Sequence, residues 1–197
     1  MTQAATAPAG VVTLTVEPAT PQALAAFGRV LGRTADVKPV PIDFYKGRVL
    51  MRYPVEFACE HPVDLSLATV DIRPSEVRFM ERHFQHTQTF IPLAGKPFVV
   101  VMAPPSDGDM PDLAQARAFL FDGSAGFTLH LGTWHEFPFA VEDATDVVVI
   151  LSSQTGYDLH QRNAVTEEAF GPDLDKKDIL ARTGTLIRFV QPAAARA

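Results

Sequence analysis

Five side chains in the middle of the chain are of the types that acid–base or metal chemistry needs: Glu81, His83, Gln88, His130 and His135. They fall in two short segments, 81–88 (Glu-Arg-His-Phe-Gln-His-Thr-Gln) and 130–135 (His-Leu-Gly-Thr-Trp-His). Each segment is followed by an apolar strand-like run, 97–102 and 146–151. Strand alternation puts Glu81 and His83 on one face, so both can point into one interior. A hairpin would return Gln88 opposite them, and His135 would enter from the second half. One carboxylate, two imidazoles and one amide oxygen admit two readings, which stand side by side. In the first, Glu81, His83, Gln88 and His135 hold a divalent metal (Ni, Mn, Fe or Zn), although an amide is a weak ligand beside a carboxylate. In the second, the imidazoles, which titrate near working pH, move protons in a metal-free pocket. The plain alternative is a set of satisfied lining residues with no chemistry.

The elements that must position these residues read as mostly β. Residues 11–17 alternate as a short strand. Thr20-Pro21 opens a helix, Thr as N-cap and Pro in the first turn, with Leu24, Phe27 and Val30 on one face and a stop at Gly32. Residues 42–53 form an irregular strand pair turning at Lys46-Gly47. Residues 65–72 alternate as a strand with one buried face, and 77–83 and 88–93 follow. The continuous apolar run 98–103 predicts a strand covered on both sides. After the loop 104–112, residues 116–121 and 126–131 read as a hairpin across Asp122-Gly123. Residues 138–141 and 146–152 complete seven to nine short strands, which favours a sandwich or barrel. The tail mixes a helix-like stretch, 174–180, with a late strand, 185–190. The expected organisation is a disordered tail at 1–10, one domain at 11–165, and an extension at 166–197 packing on that domain.

Composition narrows the function classes. The 197 residues carry a net charge of −6, with no cluster of Lys or Arg, so no nucleic-acid footprint is present. No apolar run reaches the roughly 18 residues that a membrane span needs. The 16 prolines and 12 glycines call for many turns and few long helices. A single cysteine, Cys59, cannot form an internal disulfide, and residues 1–10 lack a signal-peptide pattern; both predict a cytoplasmic location. Cys59 reads as a plain buried thiol rather than a nucleophile.

The order Glu81-x-His83, Gln88 and Gly95 resembles the first cupin motif. His130-x-Gly132-x-x-His135 resembles the second, with His130 in place of the usual proline. A more specific resemblance runs through Glu81-Arg82-His83-x-x-x-Thr87-Gln88-x-Phe90-Ile91-Pro92-Leu93-x-Gly95-x-Pro97-Phe98. It continues through Pro111-Asp112-Leu113, Arg117-Ala118-Phe119 and Gly126-x-x-x-His130-x-x-x-Trp134-His135-x-x-x-Phe139-Ala140, with Ala25 to Val30 upstream. Over residues 14–155 the chain resembles the ureidoglycolate lyase family of the cupin superfamily. The resemblance implies a cupin-like β-barrel of jelly-roll type with a few short helices. It also implies a homodimer and a carbon–nitrogen lyase that splits (S)-ureidoglycolate into glyoxylate and urea in allantoin (purine) catabolism.

On that resemblance His83 and His135 are the acid–base pair, Glu81 orients an imidazole, and Gln88 binds the ureido or carbonyl group. Arg117 anchors the carboxylate of the small anionic substrate, with a structural Arg paired to an aspartate as the alternative. Arg73 and Arg82 are further cations, Arg82 facing away from Glu81 and His83 in strict alternation. His130 and Trp134 would line the substrate pocket, a core tryptophan being the alternative for Trp134. His86 departs from the family pattern and reads as loop surface; His61 and His160 carry no signal. The family's Asn-x-Gly and Arg-Tyr-His elements are replaced by Phe44-Tyr45-Lys46-Gly47 and Arg52-Tyr53-Pro54. This leaves two other functions open: a lyase or hydrolase for another N-substituted 2-hydroxy acid, and a non-catalytic cupin that binds a small carboxylate.

Overall fold

The Phe98–Ala103 strand is buried along its whole length and explains the architecture around it. Phe98, Val100 and Met102 point into one apolar core, with Phe90, Phe119, Phe121, Phe127, Val147 and Val149. Val99, Val101 and Ala103 point the other way into a second core, with Met80, Ala118, Trp134, Ile179 and Ile187. A strand with two interior faces has no position for a polar residue, which is why this run is continuously apolar. The fold is a computed structural model that describes residues 9–192. The tail expected at 1–10 lies mostly outside them, and Gly10 already opens a strand.

The protein is mainly β, as expected. An eight-stranded sheet holds Phe98–Ala103 between Arg117–Phe121 on one side and Trp134–His135 on the other. Trp134–His135 leads on to Phe79–His83 and then to Leu174–Asp178. A five-stranded sheet faces it across the first core: Gly28–Leu31, Gly126–Leu129, Thr89–Pro92, Thr145–Ser152 and Val63–Val70. A three-stranded sheet of Gly10–Leu14, Thr185–Phe189 and Glu76–Val77 stands apart from both, and its Ile187, Phe189 and Val77 join the second core. The paired sheets are compatible with a cupin jelly roll, although their ladders do not close into one continuous barrel.

Several local expectations differ. The helix opened by Thr20 covers only Pro21–Leu24, and the chain then extends as Gly28–Leu31 against Gly126–Leu129. Leu24, Phe27 and Val30 still bury in one core, so the period marked burial rather than helix. Gly28 permits the switch, because a Cβ there would meet the Thr128 carbonyl oxygen at 2.2 Å. The strands either side of Asp122-Gly123 pair with different sheets, so this turn is a crossover and not a hairpin. Likewise Phe79–His83 and Thr89–Pro92 lie in opposite sheets, and no hairpin joins Glu81 to Gln88. The stretch read as helix at 174–180 is instead the strand Leu174–Asp178 followed by a short helix, Ile179–Thr183. Among the described residues the Val63–Val70 strand pairs on one side only, and Leu65 and Leu67 are 75% and 61% exposed. The late strand matches at Thr185–Phe189.

Both motif glycines sit in the left-handed region, Gly95 at φ +70° and Gly132 at φ +75°. Each therefore turns the chain where a side chain would be strained.

Candidate active site

Glu81 and His83 alternate with Met80 and Arg82 along Phe79–His83, so the acid and the imidazole face the space between the two large sheets. His135 joins them from the neighbouring strand, where it pairs directly with Glu81. The Nε2 atoms of His135 and His83 stand 3.6 and 3.8 Å from Glu81 Oε1. The two imidazole rings are 5.2 Å apart, and Phe90 from the apolar core lies 6.1 Å from His135. All three site residues are buried. The polar group thus caps one end of a hydrophobic interior.

The ring hydrogen bonds decide what the imidazoles offer. His83 Nδ1 is 3.3 Å from the Asp173 carbonyl oxygen, and His135 Nδ1 is 3.1 Å from that of Thr133. A carbonyl can only accept, so Nδ1 carries the proton in each ring and Nε2 is left with a lone pair. Both Nε2 atoms are buried without a partner among the described residues. A third ring follows the same pattern. His86 Nδ1 lies 2.8 Å from Asp173 Oδ2, its Nε2 is unpartnered, and its ring is 4.5 Å from that of His83. His86 is 1% exposed, which corrects its reading as loop surface: the Asp173 carboxylate draws the ring inward.

Electrostatics hold the triad in one charge state. Burial opposes ionisation of Glu81, but Lys176 and the two histidines outweigh it and bring its pKa down to about 2. Burial and the neighbouring His135 hold His83 down at about 3, and burial also lowers His135. At neutral pH the site is a carboxylate facing two neutral imidazoles. Burial likewise pushes the neighbouring Glu136 carboxyl up.

Of the residues expected at the site, Glu81, His83 and His135 come together. Gln88 precedes the Thr89–Pro92 strand; it is buried and its Oε1 has no partner among the described residues. Arg117 lies in the same cross-strand row as His135, through Met102, at two strand spacings or roughly 10 Å. There it forks onto Glu17, with Nε 2.8 Å from Oε1 and a second contact from Nη2 to Oε2. His130 Nε2 is 3.2 Å from the Ala25 carbonyl. Trp134 points away from His135 into the second core; its Nε1 donates to Ser106 Oγ at 2.9 Å, and the Arg82 guanidinium lies 4.4 Å over its ring. Arg73 donates to the carbonyls of Phe137 and Pro138 and to Glu136.

Three contributors escaped sequence reading: His86, Asp173 and Lys176. The last two lie on or beside the strand mistaken for a helix. Its Leu-Asp-Lys-Lys-Asp sequence, one apolar residue and then four charged ones, has no alternation to declare a strand without the partner it pairs with.

The arrangement is a buried carboxylate with unprotonated imidazole nitrogens turned toward it, equipped either to accept protons or to ligate a cation. The Ureidoglycolate lyase family model matches residues 11–171. The ureidoglycolate lyase of Pseudomonas aeruginosa is 36% identical over 150 residues, covering 73% of this chain and 86% of that protein. That of Pseudomonas syringae pv. tomato is 33% identical over 153 residues, covering 73% and 85%. That of Burkholderia mallei is 33% identical over 155 residues, covering 77% and 89%. With this coverage, and with the motif residues Glu81, His83 and His135 gathered at one buried site, the chain belongs to the ureidoglycolate lyase family.

Proposed function

We propose that this protein is a carbon–nitrogen lyase that cleaves (S)-ureidoglycolate to glyoxylate and urea, a step of allantoin and purine catabolism. Family membership supports the activity. The observation that carries the mechanism is the pair of buried, unpartnered Nε2 lone pairs of His83 and His135 beside the Glu81 carboxylate.

The elimination needs a base at the carbinol hydroxyl and an acid at the leaving nitrogen. One imidazole Nε2 accepts the hydroxyl proton, and the oxygen's electron pair becomes the new carbonyl bond of glyoxylate. The C–N bonding pair leaves with the urea nitrogen and takes up a proton. Glu81 stabilises the imidazolium formed in between, and the backbone carbonyls at both Nδ1 positions keep the rings turned for the transfer. In this reading Gln88 binds the ureido group, a role that its buried, unpartnered amide oxygen supports.

The donor set also fits a divalent cation, Ni, Mn, Fe or Zn. Glu81 Oε1 and the Nε2 atoms of His83 and His135 lie within 4.8 Å of one another, and Gln88 Oε1 is a further unpartnered oxygen. When bound there, such an ion would polarise the carbinol oxygen and ease its deprotonation.

A homodimer is part of the same reading, supported by the unpartnered Val63–Val70 edge with its exposed Leu65 and Leu67. A cytoplasmic location accords with the single cysteine; no helix among the described residues is long and apolar enough to cross a membrane.

The test is glyoxylate release from racemic ureidoglycolate, with and without added divalent metals. Half of the racemate should be consumed, and His83→Ala and His135→Ala should each lose about a hundredfold or more in rate. No glyoxylate under any metal, or full activity in both variants, would overturn the reading.

A further inference from the structure

The family match ends at residue 171, yet the next strand is built into the site. Leu174–Asp178 runs antiparallel to Phe79–His83, with Leu174 opposite His83 and Lys176 opposite Glu81. Directly opposed residues project to the same face, so Lys176 reaches over Glu81 and donates from Nζ to Oε2 at 2.8 Å. Just before the strand, the Asp173 carboxylate receives the backbone N–H of Gln85 at 2.7 Å and the Thr155 hydroxyl at 3.0 Å, as well as the His86 ring.

We infer that this strand completes the active site and that Lys176 is its substrate-contacting cation, binding the carboxylate of the anionic substrate. The inference rests on the lyase reading above. In a 2-hydroxy acid of this class the carbon that reacts is bonded directly to the carboxylate carbon. The cation that grips the carboxylate must therefore stand next to the proton-transferring groups. Lys176 is separated from the two imidazoles only by the Glu81 carboxylate. Arg117 lies two strands away and is engaged by Glu17; Arg73 is held by two backbone carbonyls and Glu136.

Lys176 also has capacity left. An ammonium has three donors, and Glu81 takes one. About a quarter of the Lys176 side chain is exposed. It lines a cavity of about 680 Å³ with Phe79, His160, Arg162, Glu167 and Ala169. That volume is within the range of small-molecule sites. The charged side chains of this wall are Arg162, Lys176 and Glu167, so a second cation, Arg162, stands with Lys176 in the lining. Lys176 therefore touches both this cavity and the Glu81 carboxylate of the buried triad, where a cation can meet an entering anion.

The test compares Lys176→Met and Lys176→Arg with the wild type in two assays. Steady-state cleavage of ureidoglycolate should show KM raised about tenfold or more in Lys176→Met, since a hydrogen bond to a charged group is lost, with kcat changed much less. Lys176→Arg should recover most of the loss. Calorimetric titration with glyoxylate and with its neutral amide needs no turnover. The wild type should prefer the anion, and Lys176→Met should lose that preference. Melting curves establish that each variant is folded, and Lys176→Arg keeps the ion pair if the methionine variant is not. An unchanged KM, or equal anion preference in wild type and Lys176→Met, overturns the inference. If the wild type releases no glyoxylate but its anion preference still disappears with Lys176, the lyase reading fails and the cation assignment stands.

Discussion

The Asp173 carboxylate ties His86 to the C-terminal segment: His86 Nδ1 lies 2.8 Å from Asp173 Oδ2, and both residues are buried. The same carboxylate is held by Thr155 and by the Gln85 backbone, while the Asp173 N–H donates to Asp158 Oδ2 at 3.0 Å. Removing the carboxylate strands two buried donors, His86 and Thr155, and the half-buried Gln85 N–H at once. Asp173→Ala should destabilise the protein by about 3 kcal/mol, and Asp173→Asn, which keeps one acceptor oxygen, by less. Urea unfolding of the three proteins measures this; equal midpoints would show that the latch has no energetic role.

Acid should unfold the metal-free protein earlier than its carboxylates alone would. His83 has a folded-state pKa of about 3 against 6.5 when unfolded, so the unfolded chain binds more protons between those values. Its contribution is complete above pH 6.5 and is lost as pH falls toward 3. His135 is shifted in the same direction. Glu81, at about 2 in the folded state against 4.5, contributes fully above pH 4.5 and loses that contribution as pH falls toward 2. Stability should therefore decline from just below pH 6.5, by up to roughly 1.4 kcal/mol per pH unit for each group. Denaturant titrations from pH 8 to 4 would detect it, and His83→Gln should flatten the upper part of the decline. A wild-type curve flat between pH 7 and 4.5 would refute the assignment.

Divalent metal should raise the melting temperature, because an ion that binds only the folded chain stabilises it by mass action, about 2.7 kcal/mol at a hundred times its dissociation constant. Titrating Ni, Mn, Fe and Zn into chelator-treated protein gives the order of preference. The shift should vanish in the His83→Ala, His135→Ala double variant. A shift that survives there would place the ion elsewhere.

The exposed Val63–Val70 edge should pair with its copy. Light scattering coupled to size exclusion should give twice the chain mass of 21.5 kDa, and Leu65→Lys with Leu67→Glu should return it to one. A wild-type monomer at micromolar concentration would exclude this assembly.

What could be read in advance followed the range of each interaction. Alternation from Phe79 to His83 is local, and it correctly put Glu81 and His83 on one face. The apolar run from Phe98 to Ala103 stated its double burial directly. The spacing of Leu24, Phe27 and Val30 puts them on one face of a helix, yet it also suits a short helix followed by a strand; pairing with Gly126–Leu129 decides between them. The cross-chain partners were out of reach. Nothing around Lys176 or Asp173 announces Glu81 or His86, which lie 95 and 87 residues away. Arg117 fitted a motif, but only the fold revealed Glu17 at its side.

The two-faced burial of Phe98–Ala103 has a practical corollary for redesign. Mutagenesis across 98–103 samples a segment with no tolerant side, where almost every polar choice would cost folded yield in one layer or the other. The exposed cavity-lining side chains His160, Arg162 and Glu167, which carry charge with room to move, are where altered substrate range can be sought at small cost to the scaffold.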